Sequence, residues 1–426
     1  MEKSAYKIHI IGAGISGLIA AQILENYGYS PTIIEASATV GGRVKSDVCK
    51  GYTLDHGFQV LLTSYPAAKK YLDYKALDLQ KLLPGATIFK NGKAQTIGDP
   101  LRSISLLVPT LLSSIGTLAD KVKILKLNAL LKKKKIAAIF KTKETTTLQY
   151  LKDFGFSKEI ITDFFTPFFS GIFLETELET SSRMFEFVYK MFGDGLAVLP
   201  KNGMQAIPDQ LKSNLKNTAF KFNSPVKEVK DTHIVLENAV ILESHITIIA
   251  TDASALVSNL KNQETHWKSC DTLYFEATKN ALKKPLIGLI ADKNTLINNI
   301  FYHTSVATSN KSTNELLSVT VVQNHQLEEA TLITKVVEEL RSKCGISDVT
   351  FLKRYQIKKA LPKLTSLQYE ISSTETKLKS TLFLAGDQLL NGSLNAAMIS
   401  GERAAMGVIQ NLEDGLIVDE LTSEYS

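Results

Sequence analysis

Apolar residues recur along the chain with two periods. Residues 7–11 (KIHII), 31–34 (PTII), 246–251 (ITIIAT) and 382–384 (LFL) are short runs rich in β-branched and large apolar residues. That is the pattern of strands buried in a parallel sheet. Alternating, β-branched runs at 272–275, 286–291, 318–322 and 349–360 predict further strands. Residues 85–97 read as a hairpin turning at Asn91-Gly92, and residues 234–236 and 240–242 as a second. Residues 220–229 (FKFNSPVKEV) read as one strand. Helical spacing marks residues 18–27, with Leu18, Ala21 and Ile23/Leu24 on one face and Gly28 as the stop. It also marks 206–215 and 328–344. Residues 103–119 carry no charge and fall short of the ~20 apolar residues a spanning helix needs, so they predict a buried helical hairpin. Residues 120–140 predict one basic amphipathic helix, with Val122, Leu125, Ala129 and Leu130/Leu131 on its apolar face and Lys132 to Lys135 closing it.

The first strand runs directly into Gly12-x-Gly14-x-x-Gly17, and the helix of residues 18–27 follows. Gly12 permits a tight turn, Gly14 lets the backbone approach a pyrophosphate, and Gly17 lets helix pack on strand. Ala13 and Ser16 belong to the same loop, whose free N–H groups would face the phosphates. Glu35, followed by Ala36, ends the second strand, where a carboxylate can accept hydrogen bonds from an adenosine ribose. This order of strand, loop, helix, strand and acid predicts a dinucleotide site; the competing reading is a Gly-rich turn without ligand. Gly41-Gly42 then offers a second close backbone approach, and Arg43 a fixed cation for a pyrophosphate.

The glycine loop, Glu35 and Gly41-Gly42-Arg43 together resemble the flavoprotein superfamily of amine oxidases, protoporphyrinogen oxidases and phytoene desaturases, with Ser37 where many members carry a base. The resemblance implies FAD, held non-covalently, since no cysteine lies near residues 385–395. It implies that the Asp55-His56-Gly57 turn and Phe58 lie against the flavin ring and that Val226 holds the adenine edge through its backbone. It also implies that Gly386-Asp387 bonds the ribityl and pyrophosphate part. Asn395 and Ala396 would then start a helix aimed at the flavin, whose positive end would stabilise the reduced ring. Residues 166–173 (TPFFSGIF) and 195–211 look like the middle of the porphyrinogen oxidases and carotenoid desaturases. There Phe164, Phe165, Phe168, Phe169, Ile172 and Phe173 suit an apolar substrate pocket, with core packing the commoner use of such a cluster.

Hydride transfer from a substrate C–H to flavin N5 needs no dedicated acid or base, so no catalytic residue is assigned. Two were weighed. His56 could relay a proton at the ring, against the favoured reading of a turn histidine bonded locally. Lys268 stands near where amine oxidases place a lysine, but with altered spacing. The expected function is a desaturase or dehydrogenase of a bulky apolar, carotenoid- or porphyrinogen-like substrate. An amine oxidase is the alternative. A prenyl-binding, GDP-dissociation-inhibitor-like protein is the non-enzyme alternative, and the intact Gly386-Asp387 motif argues against it.

A chain of 426 residues exceeds one compact core. The fold class is α/β, a Rossmann-like FAD-binding lobe (1–84, 205–254, 381–414) interleaved with a substrate lobe. The substrate lobe is helical at 85–204 and mixed-sheet at 255–380, and a flexible tail follows at 415–426. Cys49, Cys270 and Cys344 form no CxxC pair, which predicts a reducing compartment and no metal site. The first strand begins too early to leave room for a signal peptide, so a cytoplasmic protein is expected. For residues 120–140, contact with anionic lipid is weighed against a solvated lysine face, the latter favoured. The net charge of +6 does not by itself argue for nucleic acid.

Overall fold

The computed structural model describes residues 2–260, 264–310 and 312–413, and the expected tail at 415–426 lies outside them. Five strands in the order Ala219–Lys221, Thr32–Ile34, Ile8–Ile11, Ile246–Ile249 and Leu382–Leu384 form a wholly parallel sheet. Every residue of the Ile8–Ile11 and Ile246–Ile249 strands is buried, which is why their sequences do not alternate. His9 is tolerated there because Nδ1 lies 3.0 Å from Ser244 Oγ, while burial lowers its pKa to about 4 and keeps the ring neutral. Helix Ile15–Asn26 starts inside the glycine loop, with Gly14 as its N-cap. The long helix Leu394–Leu412 crosses it so closely that a β-carbon on Gly401 would sit 2.2 Å from Ser16 O.

The second lobe is built on a seven-stranded mixed sheet, Val349–Pro362, Trp267–Ala277, Glu315–Val321, Ile297–Tyr302, Ile287–Ile290, Gly85–Lys90 and Lys93–Gly98 in order. The hairpin at Asn91-Gly92 is therefore part of this sheet. Helix Glu329–Cys344 covers one face through Leu332, Val336 and Leu340, one helical turn apart, and stops at Gly345 in a left-handed conformation. Helices Leu118–Lys133, Thr147–Asp153, Thr166–Phe173 and Ser182–Asp194 form the helical part.

Three segments differ from the sequence reading. Residues 220–229 are two strands: Ala219–Lys221 edges the parallel sheet, and Val226–Val229 joins a separate three-stranded sheet. The break falls at Asn223, whose φ is +51°, just before Ser224-Pro225. Residues 120–140 are two helices, Leu118–Lys133 and Ile136–Lys141, with extended backbone at Lys134 and Lys135 between them. Leu127 and Leu131 face inward, whereas Val122, Leu125 and Leu130 face out. Residues 103–119 are not buried: in this stretch and the helix start after it, Leu106, Ser113, Ile115 and Asp120 point in, and most of the apolar side chains point to solvent.

Candidate functional site

Four sequence-distant pieces meet at the carboxyl ends of the parallel strands. Gly41 N donates to Ala13 O at 2.9 Å, laying the Gly41-Gly42-Arg43 turn beside the glycine loop. Arg43 Nη1 reaches Asp387 Oδ2 at 2.9 Å and Nη2 bonds Oδ1, so a buried carboxylate is gripped by two donors. Gly386 N donates to Ser400 Oγ at 2.9 Å, and Ser400 Oγ lies 3.5 Å from Ser16 Oγ. Trp267 completes the wall, with the Arg43 guanidinium carbon 5.0 Å from its ring centroid.

This arrangement fits a dinucleotide. A β-carbon on Gly14 would meet nothing within 4 Å, so the space above the helix start is open. The Gly14 cap offers no side-chain bond to the first-turn N–H groups. Gly17 has no such space, its β-carbon position lying 2.0 Å from Gly12 O, which is the close helix–strand packing expected of it. Glu35 Oε2 accepts from Ala13 N at 2.7 Å, while Oε1 accepts from Ser37 N and Oγ; among the described residues the carboxylate retains acceptor capacity toward the cavity it lines. Ser37 thus holds the acid in place. Ser393 caps helix Leu394–Leu412 by accepting from Ala396 N, and Ser393, Leu394 and Ala397 line the same cavity.

Other predicted residues lie differently. Ala13, Gly17 and Ala36 are not in the cavity lining, and neither is Val226, which starts the three-stranded sheet opposite Leu236. Asn395 turns its amide oxygen to Ala67 N at 3.0 Å, and Ala396 is fully buried, so both serve helix packing. Gly57 does line the cavity; its φ of +96° and a would-be β-carbon 3.0 Å from Ile357 Cδ1 call for glycine. Phe58 lines it too and packs on Phe301 at 5.0 Å between centroids. His56 stacks on Tyr355 at 4.3 Å, with Nε2 3.1 Å from Asp47 Oδ2. Hydrogen bonds from Lys353, Tyr355 and His56 hold the Asp47 carboxyl down at about 2 against the opposing effect of burial. Lys268 Nζ donates to Glu175 Oε2 (2.6 Å), Phe173 O (2.9 Å) and Thr180 Oγ1 (3.0 Å), committing all three donors to the turn after helix Thr166–Phe173. Trp267 was missed as a site builder; Ser400 and Gly401 lie on the small-residue helix of the second motif, but their contacts with Gly386 and Ser16 had no local signal.

The cradle opens into a continuous cavity of about 3480 Å³, several times the ~1,000 Å³ at the upper end for drug-sized ligands. The phenylalanine cluster divides by face. Phe164, Phe168 and Ile172 line the cavity, while Phe165 and Phe169 are fully buried and pack on Phe156 and Phe185. One helical surface is pocket and the adjacent one core. The segment changes from π-helix at Ile161–Phe165 to α-helix at Thr166–Phe173, a feature that recurs at functional sites. The cavity continues to Leu107, Leu111 and Leu125, which also reach solvent. Among the described residues no group of acidic, histidine and cysteine side chains could hold a metal.

A dinucleotide cradle at the carboxyl ends of a parallel sheet, opening into a cavity shared with a second lobe, defines a two-lobe nucleotide-cofactor oxidoreductase fold. The chain belongs to the flavin-containing amine oxidoreductase family, whose profile matches residues 15–409. It is 28% identical over 172 residues to a mitochondrial protoporphyrinogen oxidase of Nicotiana tabacum, covering 39% of this chain and 32% of that one. It is 46% identical over 66 residues to a hydroxysqualene dehydroxylase of Zymomonas mobilis, covering 15% and 16%. These matches span a third or less of each relative's length. An oxidoreductase structure from Methanosarcina mazei superposes with a TM-score of 0.71 at 17% identity, covering 95% of this chain and all of that one.

Proposed function

We propose that this chain is an FAD-dependent oxidoreductase that removes hydride from a C–H bond of a bulky, apolar small molecule. The observation that carries this reading is the continuity of one large cavity from Gly14, Arg43 and Asp387 to the Phe164, Phe168 and Ile172 face. Bound FAD supplies the hydride acceptor. The glycine loop and Arg43 would hold its pyrophosphate, Glu35 its adenosine ribose, and Asp387, fixed by Arg43, the chain between pyrophosphate and ring. The positive end of helix Leu394–Leu412 raises the potential at the cavity wall, where negative charge would gather on reduction. The aromatic wall excludes water and orients an apolar substrate by contact area. Non-covalent binding is supported by Cys270, which lines the cavity but has its thiol pushed up to about 12 by burial, leaving little thiolate to form a link. The names of the tobacco and Zymomonas relatives fit this substrate class.

The test is anaerobic bleaching of the purified yellow protein by porphyrinogens, polyenes and simple amines. Reduction by a porphyrinogen or polyene is expected. Bleaching by simple amines alone would overturn the substrate class, and a colourless protein that cannot be reconstituted with FAD would overturn flavin enzymology altogether.

A further inference from the structure

Exposed apolar side chains are not scattered over this protein. Of the thirteen large hydrophobic residues exposed among the described residues, ten lie between Leu101 and Leu130. Ile104 is 83% exposed and Leu112 81%. A patch of this density is unusual for a surface that meets only water. Its scaffold is fixed. Lys121 Nζ donates to Thr110 O and Ser113 O, both at 2.9 Å, tying helix Leu107–Leu112 to helix Leu118–Lys133. Thr117 and Asp120 close the second helix with a reciprocal capping box, and Asp120, fully buried, also accepts from Ser157 N and Oγ. Gly98 N donates to Thr110 Oγ1 at 3.0 Å, pinning the first helix to the seven-stranded sheet. The leucines are therefore held outward by a hydrogen-bonded frame.

Two further observations say what covers the patch. Exposed Lys126, Lys132 and Lys133 stand on the same helix as Val122, Leu125 and Leu130. Leu107, Leu111 and Leu125 belong both to the patch and to the cavity lining, so apolar surface and cavity mouth coincide. We propose that helices Leu107–Leu112 and Leu118–Lys133 dock on an anionic lipid bilayer, with the leucines in the acyl boundary, the lysines at the headgroups and the cavity mouth opening into lipid. Among the described residues no helix is long and apolar enough to cross a membrane, so the contact lies in one leaflet. A second copy is a poorer occupant. Two-fold pairing of this face would set its lysines against those of its mate. Docking takes its purpose from the apolar-substrate reading, but vesicle binding is scored without turnover, so either can fail alone.

The test is co-sedimentation of the flavoprotein with phosphatidylcholine vesicles, with and without phosphatidylglycerol, at low and high salt. Wild type is expected to bind the anionic vesicles and to lose much of that binding in salt. The triple variant Ile104→Gln/Val108→Gln/Leu112→Gln changes exposed residues outside the cavity lining. It should keep its flavin and melting temperature yet partition at least about ten-fold more weakly. Lys126→Gln/Lys133→Gln should lose the preference for phosphatidylglycerol. The idea is overturned if wild type ignores both vesicles, or if the triple variant binds as wild type does. It is also overturned if size-exclusion shows a dimer that the triple variant dissolves while vesicles bind neither protein.

Discussion

The contact between Gly401 and Ser16 gives the sharpest test that the two ends of the chain share one cradle. A β-carbon at Gly401 would lie 2.2 Å from Ser16 O, 3.0 Å from Ser16 C and 3.1 Å from Ser16 Cα, where ordinary contact begins at 3.4 Å. All three obstacles are backbone, so no side-chain rotation relieves them. Gly401→Ala must move helix Leu394–Leu412 off helix Ile15–Asn26, and Ser16 lies in the loop that would hold the pyrophosphate. Overpacking of this kind costs ~1–3 kcal/mol; with rigid backbone on both sides the upper half is expected. The displaced loop should weaken FAD binding by about ten-fold or more, equivalent to about 1.4 kcal/mol. Gly193→Ala is the control: it sits in helix Ser182–Asp194, and its β-carbon would meet nothing within 4 Å. It should gain ~0.4–1 kcal/mol from a less flexible unfolded chain. Urea unfolding gives the stability, and FAD titration of the stripped protein gives the affinity. A Gly401→Ala protein that unfolds and binds FAD as wild type does would refute the close crossing.

Arg43→Ala should cost about 2–3 kcal/mol in urea unfolding, because it strands the buried Asp387 carboxylate; the exposure of the guanidinium tempers the upper figure. Arg43→Ala/Asp387→Asn should recover part of that loss, and strict additivity of the two single variants would disprove the pairing. Lys268→Met should lower the melting temperature while leaving flavin content and the anaerobic reduction rate within a few-fold of wild type; a hundred-fold slower reduction in a folded protein would give Lys268 a part in the chemistry. Burial lifts Asp55 from 3.8 to about 6, so its contribution to stability is full below about 3.8 and is lost as pH rises through about 6. The stability of wild type minus that of Asp55→Asn should therefore fall by up to ~3 kcal/mol across that window, and a flat difference would contradict the buried, protonated carboxyl.

The parallel strands and the glycine loop were legible because their signals are local. A strand buried on both faces shows an unbroken apolar run, and a pyrophosphate turn needs glycine at set positions. The Asn223-Ser224-Pro225 turn was equally local, and reading 220–229 as one strand overlooked it. What could not be read was which of two apolar faces meets the core. Along 118–133, Leu127 and Leu131 turn inward while Val122, Leu125 and Leu130 do not, yet all five are apolar at helical spacing. The same ambiguity hid the division of Phe164 and Phe168 from Phe165 and Phe169. That Arg43 and Asp387 converge follows from the resemblance, which sends both to one pyrophosphate, but the direct pairings across the chain were invisible. Nothing near Arg43 announces that Asp387 will bind it directly, nothing near Ser16 announces Ser400, and nothing near Lys268 announces that Glu175 will occupy it.

The interleaving of the lobes gives the cofactor a structural part as well. Ile246–Ile249 lies between Ile8–Ile11 and Leu382–Leu384 in the parallel sheet, so the cradle closes only when three remote stretches have met. Each closure carries a loop entropy that its own few contacts must overcome. A ligand touching the glycine loop, Arg43 and the start of helix Leu394–Leu412 binds only the assembled state. It therefore stabilises that state by about 2.7 kcal/mol at a hundred times its Kd. The size of this increment reports where a lesion lies. Leu340→Ala, in the core beneath the seven-stranded sheet, should lose stability yet keep the full increment on adding FAD. Gly401→Ala, at the seam, should lose stability and about half of the increment or more together, because the same displacement that loosens the packing spoils the site. Equal thermal shifts with FAD in the two variants would mean that the cofactor does not span the seam.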